Sequence, residues 1–317
     1  MMGKTVFVRD LAPGDNVDDV FAAADKQVLL KKNGERYLTV ALSDVSGRVK
    51  AVAWDNVEEI KAAFESGDYV WVKGRAADYR GEIQVVMAEA ARLDPGGVDP
   101  SLFLPKTRRD PEKMLARLAA LAESIGRGPL RELCAGLLSD TAFTGRFIHA
   151  PAAKSMHHAY VGGLLEHTLS VALMAEKVAL HYGLDRDFLI AGALFHDLGK
   201  IEEFSMKGAI EYSDEGRLLN HVVLGLRLLD GRIALQADLP PEEALLLRHM
   251  VVSHHGAREF GAPEPPKTLE AVALNLIDDL DAKVAGIRDF LDSQTGDGAW
   301  SAYHNLLGRH FFRGGGR

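Results

Sequence analysis

The chain is nearly free of cysteine: Cys134 is the single one in 317 residues. One thiol excludes an internal disulfide and a multi-cysteine zinc site, and it fits a reducing compartment. Any metal must therefore rest on histidine and carboxylate. Long hydrophobic runs are also missing. Charges interrupt every apolar stretch, so no membrane span is expected. No basic-then-apolar leader stands at Met1–Asp15, and a cytoplasmic location is expected. Nor is there an excess of basic residues. The formal net charge is −8, which argues against broad electrostatic wrapping of nucleic acid and leaves local grooves open. Internal repeats and low-complexity blocks are absent. What is present is a 47% hydrophobic composition of ordinary globular kind, on a chain long enough for two domains.

The stretch Gly192–Lys200, Gly-Ala-Leu-Phe-His-Asp-Leu-Gly-Lys, organises the chain. It reads as a buried apolar helix that stops in an adjacent imidazole and carboxylate. Polar heads at the end of an apolar run are unfavourable unless something pairs them, and a metal ion would pair both. Neighbouring helical residues point about 100° apart. They can share a cavity from its edge, with His196 on one ion and Asp197 bridging two. The alternative is a capping pair, with Asp197 as a helix-end hydrogen bonder and His196 as a satisfied core histidine.

Residues Thr5 to Leu93 read as β-rich. Short strands are expected at Val28–Lys31, Tyr37–Leu42, Val49–Trp54, Tyr69–Lys73 and Gly81–Met87, with a turn at Asn33-Gly34 and a helix over Val57–Glu65. Five strands with one helix between the third and fourth is the layout of an OB-fold barrel. The stretches Asn33–Leu38, Leu42–Gly47, Val52–Asp55 and Gly67–Val70 resemble OB-folds of the nucleic-acid-binding kind. Asp94–Pro105 is rich in Pro and Gly and marks a boundary. From Pro111 the pattern is helical, with candidate helices at Leu130–Leu138, Val161–Tyr182, Arg186–Phe195, Leu219–Leu229, Glu242–Val252, Leu269–Leu291 and Ala299–Leu307. The expected fold is multidomain: an all-β OB-fold barrel over 1–94, a linker over 95–110, an all-α helical bundle over 111–310, and a frayed Gly/Arg tail over 311–317.

That bundle carries a series of metal-type residues. His167 is followed 29 residues later by His196 and Asp197. His221 opens an apolar helix, and His249, His254 and His255 cluster in the next. Asp278, Asp279 and Asp281 interrupt an otherwise apolar helix, where acids need cations. The order His, His-Asp, Asp, with the tail Leu198-Gly199-Lys200, resembles the HD-domain metal-dependent phosphohydrolases. By that resemblance His167, His196, Asp197 and Asp278 hold one divalent ion, with Asp281 the runner-up for the last place. Two-metal members of that class add histidines in the interval where His221, His254 and His255 stand. Asp197 would then bridge to a second ion held by His221 and His254, with His255 alongside. Mixed imidazole and carboxylate donors suit Mn, Fe, Co, Ni or Zn rather than Ca. Two such ions about 3.5–4 Å apart activate water and stabilise the leaving oxygen of a phosphodiester. Lys200 would neutralise a phosphate oxygen as a point charge. Lys154, His157 and His158 read as phosphate contacts, or as caps of the following helix. His249 reads as structural, and His181, His304 and His310 as surface residues.

An OB-fold binds single strands through aromatic stacking and scattered basic residues. The candidates are Tyr37, Trp54, Tyr79 and Arg80, with Lys31, Lys32, Arg36 and Lys50 near the backbone. The alternative places Trp54 and Trp71 in the barrel core and Tyr79 in a turn. Over residues 1–95, 13 Lys/Arg stand against 16 Asp/Glu, so binding there is expected to be a tether more than a clamp. The pairing of an OB-fold with an HD domain resembles the YhaM-like 3′-to-5′ exoribonucleases. The resemblance is carried by Pro151–Leu164, His196–Lys200, Ser253–Gly256, Phe260–Pro263 and Ile277–Lys283. One departure is Phe260, where Trp is expected. The family implies hydrolysis of single-stranded RNA, with single-stranded DNA as a second substrate. It also implies nucleoside monophosphate products, Mn as the usual ion, and homo-oligomers. Two alternatives stand beside it: a phosphodiesterase or phosphatase on free or cyclic nucleotides with a regulatory barrel, and an RNA-binding protein with a vestigial site.

Overall fold

The structure is a computed structural model that describes residues 4–31, 33–79, 81–99, 102–154, 158–206, 210–294 and 298–314. The chain divides into two compact units. One comprises Met1–Arg108 and Glu202–Leu218; the other comprises Arg109–Ile201 and Leu219–Arg317. Among the described residues no helix is long and apolar enough to cross a membrane.

The first unit is a closed five-stranded barrel. Strands β1 (Asn16–Leu30), β2 (Arg36–Asp44), β3 (Gly47–Ala53), β4 (Tyr69–Tyr79) and β5 (Glu82–Arg92) run in the order β1-β2-β3-β5-β4, and β1 also pairs with β4. Strand β1 can serve two neighbours because it is long. Its first half pairs with β4 and its second half with β2, across a bulge at Asp25, whose φ is +52°. The sequence reading caught only the end of this strand. The pair Asp18-Asp19 and the run Ala22–Ala24 hide its alternation. Helix α1 (Val57–Ala63) sits between β3 and β4, as expected, and Ile60 and Phe64 join Phe21, Leu38, Val70 and Val85 in the barrel core. Gly74 is required by a close approach. A Cβ there would lie 2.2 Å from the Val86 carbonyl oxygen, beside the β4–β5 bulge. The insertion Glu202–Leu218 carries a hairpin, β6 (Phe204–Met206) with β7 (Ile210–Tyr212), that the helical pattern did not announce.

The second unit is helical: α2 (Pro111–Glu123), α3 (Gly128–Ser139), α4 (Thr141–Phe147), α5 (Gly163–Tyr182), α6 (Arg186–Phe195), α7 (Lys200–Glu203) and α8 (Asp214–Ile233), which run into and out of the insertion Glu202–Leu218, α9 (Pro241–Ser253) and α10 (Leu269–Asp292). Caps fix their starts. Asp110 accepts from the N–H groups of Glu112 and Lys113, Asp140 from those of Ala142 and Phe143, and Thr268 from that of Ala271. Helix α6 is the core element. Every residue from Phe188 to Phe195 is buried, as a helix apolar on all sides must be. It packs against α5, α9 and α10, with Leu164, Leu165, Leu189, Leu247 and Leu274 in one cluster.

Two sequence expectations fail at the C-terminal end. Residues 299–307 are not a helix. Trp300 pairs with Phe312 and His304 with Arg309 as isolated bridges, because the side chains of Ser301 and His304 accept from the backbone N–H groups of Phe311 and Leu307 and compete with helical bonding. The start of the expected tail is tied down by the same contacts, and Arg313 N–H donates to Ala299.

Candidate metal centre

Five stretches of the helical unit deliver the site. Helix α6 ends at Phe195, and His196 and Asp197 follow in the turn toward Lys200. Gly199 lets that turn touch α8: a Cβ at Gly199 would lie 1.9 Å from the His221 carbonyl oxygen and 2.5 Å from Gly225 N. Helix α8 is broken at Asn220, whose φ of +57° and ψ of 168° are strained for a residue with a Cβ. Asn220 Oδ1 accepts from Val222 N–H at 2.9 Å, so it caps a new helical start whose first residue is His221. His254 and His255 follow the end of α9, His167 stands in α5, and Asp278 stands in α10.

The donor atoms fall into two sets. In the first, His167 Nε2 lies 3.2 Å from His196 Nε2, 3.4 Å from Asp197 Oδ2 and 3.1 Å from Asp278 Oδ1. His196 Nε2 lies 3.5 Å from Asp197 Oδ2 and 3.8 Å from Asp278 Oδ1. In the second, Asp197 Oδ1 lies 3.5 Å from His254 Nε2 and 3.7 Å from His221 Nε2, which is 3.1 Å from His255 Nε2. Bonds of about 2.0–2.2 Å to a central ion put neighbouring donors about 3.0–3.6 Å apart, close to the spacings found. Asp197 turns one oxygen to each set. Its Oδ1 and His254 Nε2 are buried with no hydrogen-bond partner.

The outer ring nitrogens decide what the inner ones offer. His196 Nδ1 faces the Ala193 carbonyl at 2.9 Å and His254 Nδ1 the Val251 carbonyl at 2.7 Å. A carbonyl only accepts, so each Nδ1 carries a proton and each Nε2 faces inward. Burial pushes His196 down to about 4 against the pull of Asp197 and Asp278, which keeps it neutral. His196 Nε2, Asp197 Oδ2 and Asp278 Oδ1 then form a knot of lone pairs around His167 Nε2, and this knot requires a positive charge. A proton on His167 meets that need. Burial opposes it, but Asp197, Asp278 and Asp281 overcome burial and hold His167 well above the ordinary histidine range. Asp197 and Asp278 are likewise held below the ordinary carboxylate range, against burial, the first by Lys200 and His196 and the second by His167 and His196. Burial and the rings of His254 and His221 push His255 down to about 3. Inward-facing ring nitrogens, ionised carboxylates and unpartnered buried atoms fit divalent ions in both sets.

Other expected site residues are placed as follows. Lys200 Nζ donates to Asp197 Oδ2 at 2.6 Å. Asp281, the runner-up ligand, lies on the far side of His167, 2.8 Å from Nδ1. His158 is buried, 2.8 Å from the Tyr160 hydroxyl and 3.2 Å from Asp281, and Lys154 is half-buried in the preceding loop. His249 Nε2 accepts from Lys267 N–H and stays outside both sets. On the barrel, Tyr37 and Trp54 stack with centroids 4.9 Å apart, and Lys31 Nζ is 5.5 Å from the indole. Trp54 is 38% exposed, so it is not a core residue. Trp71 is half-buried, and its Nε1–H donates to Asp18. Tyr79 is exposed at the end of β4, Arg36 pairs with Glu58, and Lys50 is exposed. Lys32, Arg80 and His157 lie outside the described residues. Sequence reasoning missed Ser170, which donates to Asp281, and Asn275, which donates to the His254 carbonyl. Ser170 had one legible signal, its position one turn after His167.

Comparison with known proteins agrees with both units. Residues 164–283 match the family model described as the HD domain, and residues 25–92 match the one described as an OB-fold nucleic acid binding domain. Among solved structures, the second OB-fold domain of replication protein A from Methanococcus maripaludis is 18% identical. It covers 28% of this chain and 94% of that chain at a TM-score of 0.22. The mitochondrial single-stranded DNA binding protein Rim1 of S. cerevisiae is 15% identical, covering 26% of this chain and 97% of that chain at a TM-score of 0.24. The chain thus joins an OB-fold nucleic acid binding domain to an HD domain, the domain of metal-dependent phosphohydrolases.

Proposed function

We propose that the protein is a metal-dependent 3′-to-5′ exoribonuclease that hydrolyses single-stranded RNA to nucleoside monophosphates, with single-stranded DNA as a second substrate. One observation carries the hydrolytic part: Asp197 presents its two oxygens to two separate donor sets, each completed by histidine ring nitrogens. His167, His196, Asp197 and Asp278 would hold one ion, and Asp197, His221, His254 and His255 a second. Divalent ions there would supply Lewis-acid activation of water and offset charge on a phosphodiester. Manganese is the ion the resemblance favours.

The chain's own groups do the rest. Asp197 and Asp278 hold the donor sets in place as ionised carboxylates. Lys200, beside Asp197, supplies a point charge for a phosphate oxygen. The Tyr37–Trp54 stack, with Lys31 over the indole, offers an aromatic face to an unpaired base, where each stacked base contributes about 1–3 kcal/mol. The 3′-to-5′ polarity rests on the family resemblance of the motif stretches.

The test uses one oligoribonucleotide labelled at either end, with a cyclic dinucleotide alongside, all with Mn²⁺. The 3′ label is expected to leave at once as a mononucleotide, while the 5′-labelled strand shortens as a ladder. Asp197→Ala, with an unchanged circular dichroism spectrum, is expected to abolish both. Undiminished digestion by Asp197→Ala would defeat the proposal, and so would turnover of the cyclic dinucleotide alone.

A further inference from the structure

His196 and His254 are oriented by carbonyls three residues earlier in their own helices. They can be, because each stands where its helix ends and such carbonyls lose their i+4 partners. His167 stands inside α5 (Gly163–Tyr182), where carbonyls are committed to the helical ladder. Its Nδ1 needs an acceptor from elsewhere.

Asp281 supplies one. Its Oδ2 lies 2.8 Å from His167 Nδ1 and 3.2 Å from His158 Nε2, while Ser170 donates to its Oδ1 at 2.5 Å. With both oxygens engaged, the carboxylate cannot rotate. The spacing explains how two helices build this. Asp278 and Asp281 are three apart on α10, so they share a face. One meets Nε2 of the imidazole and the other meets Nδ1. His167 and Ser170 are three apart on α5 and meet α10 from the other side. His158 is held in register with α5 by its backbone. Its φ is +53°, its carbonyl accepts from Ala152 and Tyr160, and a Cβ on Gly163 would lie 2.0 Å from that carbonyl oxygen. Strain in this loop is tolerated where the loop braces the site.

We propose that Asp281, braced by Ser170 and His158, is the positioning residue of the centre. It fixes the His167 ring with the Nε2 lone pair turned to the ion, and His158 is the outer member of this relay rather than a phosphate contact. The inference rests on the metal-centre reading and deepens it. A carboxylate behind a ligating imidazole fixes its tautomer and raises its basicity, and losing such a partner weakens metal binding about 10–100-fold.

The test measures Mn²⁺ dissociation constants by calorimetry, and visible spectra of the Co²⁺-loaded protein, for the full chain and its variants. Asp281→Asn and Asp281→Ala are expected to weaken the site that includes His167 about 10–100-fold and to shift the Co²⁺ bands. Ser170→Ala is expected to show a smaller loss of the same kind. Asp279→Asn, two residues away and paired with Lys283 at the surface, is expected to match wild type. Should Asp281→Ala fail to fold, the isosteric Asp281→Asn decides. Wild-type affinity together with an unmoved Co²⁺ spectrum in Asp281→Asn would overturn the positioning role and leave the metal centre standing. A wild-type chain that binds no Mn²⁺ would instead overturn the metal-centre reading.

Discussion

Asp197 shows why the centre is organised by single residues. A buried carboxylate is strongly disfavoured unless charge and hydrogen bonds compensate it. Here Lys200, His196 and His167 do so and hold it well below its ordinary range. The same electrostatics set the pH response of the metal-free protein. His196 and His255, lowered by burial to about 4 and about 3, are neutral in the fold. The stability they contribute is fully present above the ordinary histidine value near 6.5 and is lost as pH falls below it. His167 is shifted the other way, since its carboxylate neighbours outweigh burial. Its contribution is fully present below about 6.5 and is lost as pH rises through its raised folded value. Melting of chelator-treated protein is therefore expected to peak near pH 6.5. Because an ion must displace the His167 proton, the gain in melting temperature on adding Mn²⁺ is expected to grow as pH rises from 6 to 8. A gain that shrinks over that range would contradict this charge assignment.

At the scale of elements, the site exists because a turn and a helix, α8, come unusually close. Gly199 has no room for a side chain against His221 and Gly225. Gly199→Ala is expected to lower stability by about 1–3 kcal/mol through overpacking. Because the clash falls on the His221 backbone, it is also expected to disturb the second donor set more than the first. Metal titration read together with denaturant melts separates the two effects. Much of this arrangement was legible in the chain. A His-Asp pair at the end of an apolar helix and acids inside another apolar helix are unusual enough to stand out, and the spacing of Asp278 and Asp281 put both on one face. The break at Asn220 was not legible, because asparagine is common in surface helices and only the φ and ψ mark it. Nor were Ser170 and Asn275, whose roles come from neighbours distant in sequence. In the barrel, the helix Val57–Ala63 and the later strands followed from their alternation, while the first half of β1 was masked by Asp18, Asp19 and a bulge.

At the scale of the whole molecule, two units divide the work. The helical unit contains every donor atom of the centre, and the barrel carries the aromatic stack. The barrel's 13 basic and 16 acidic residues over 1–95 leave little general attraction for a polyanion, so affinity there should depend on stacking more than on counterion release. Trp54→Ala in the full chain is expected to weaken binding of a single-stranded oligonucleotide by about 1–3 kcal/mol. Hydrolysis of bis(p-nitrophenyl) phosphate, which offers no base to the stack, should stay unchanged. Equal loss on both substrates would remove the barrel from substrate binding.

One carboxylate shared between two ions defines the proposed centre, and elemental analysis of purified protein loaded with Mn²⁺ and freed of excess counts those ions. Two ions per chain are expected in wild type, one in His254→Ala, and none tightly held in Asp197→Ala. A wild-type chain that retains no ion, or an Asp197→Ala chain that retains two, would contradict it.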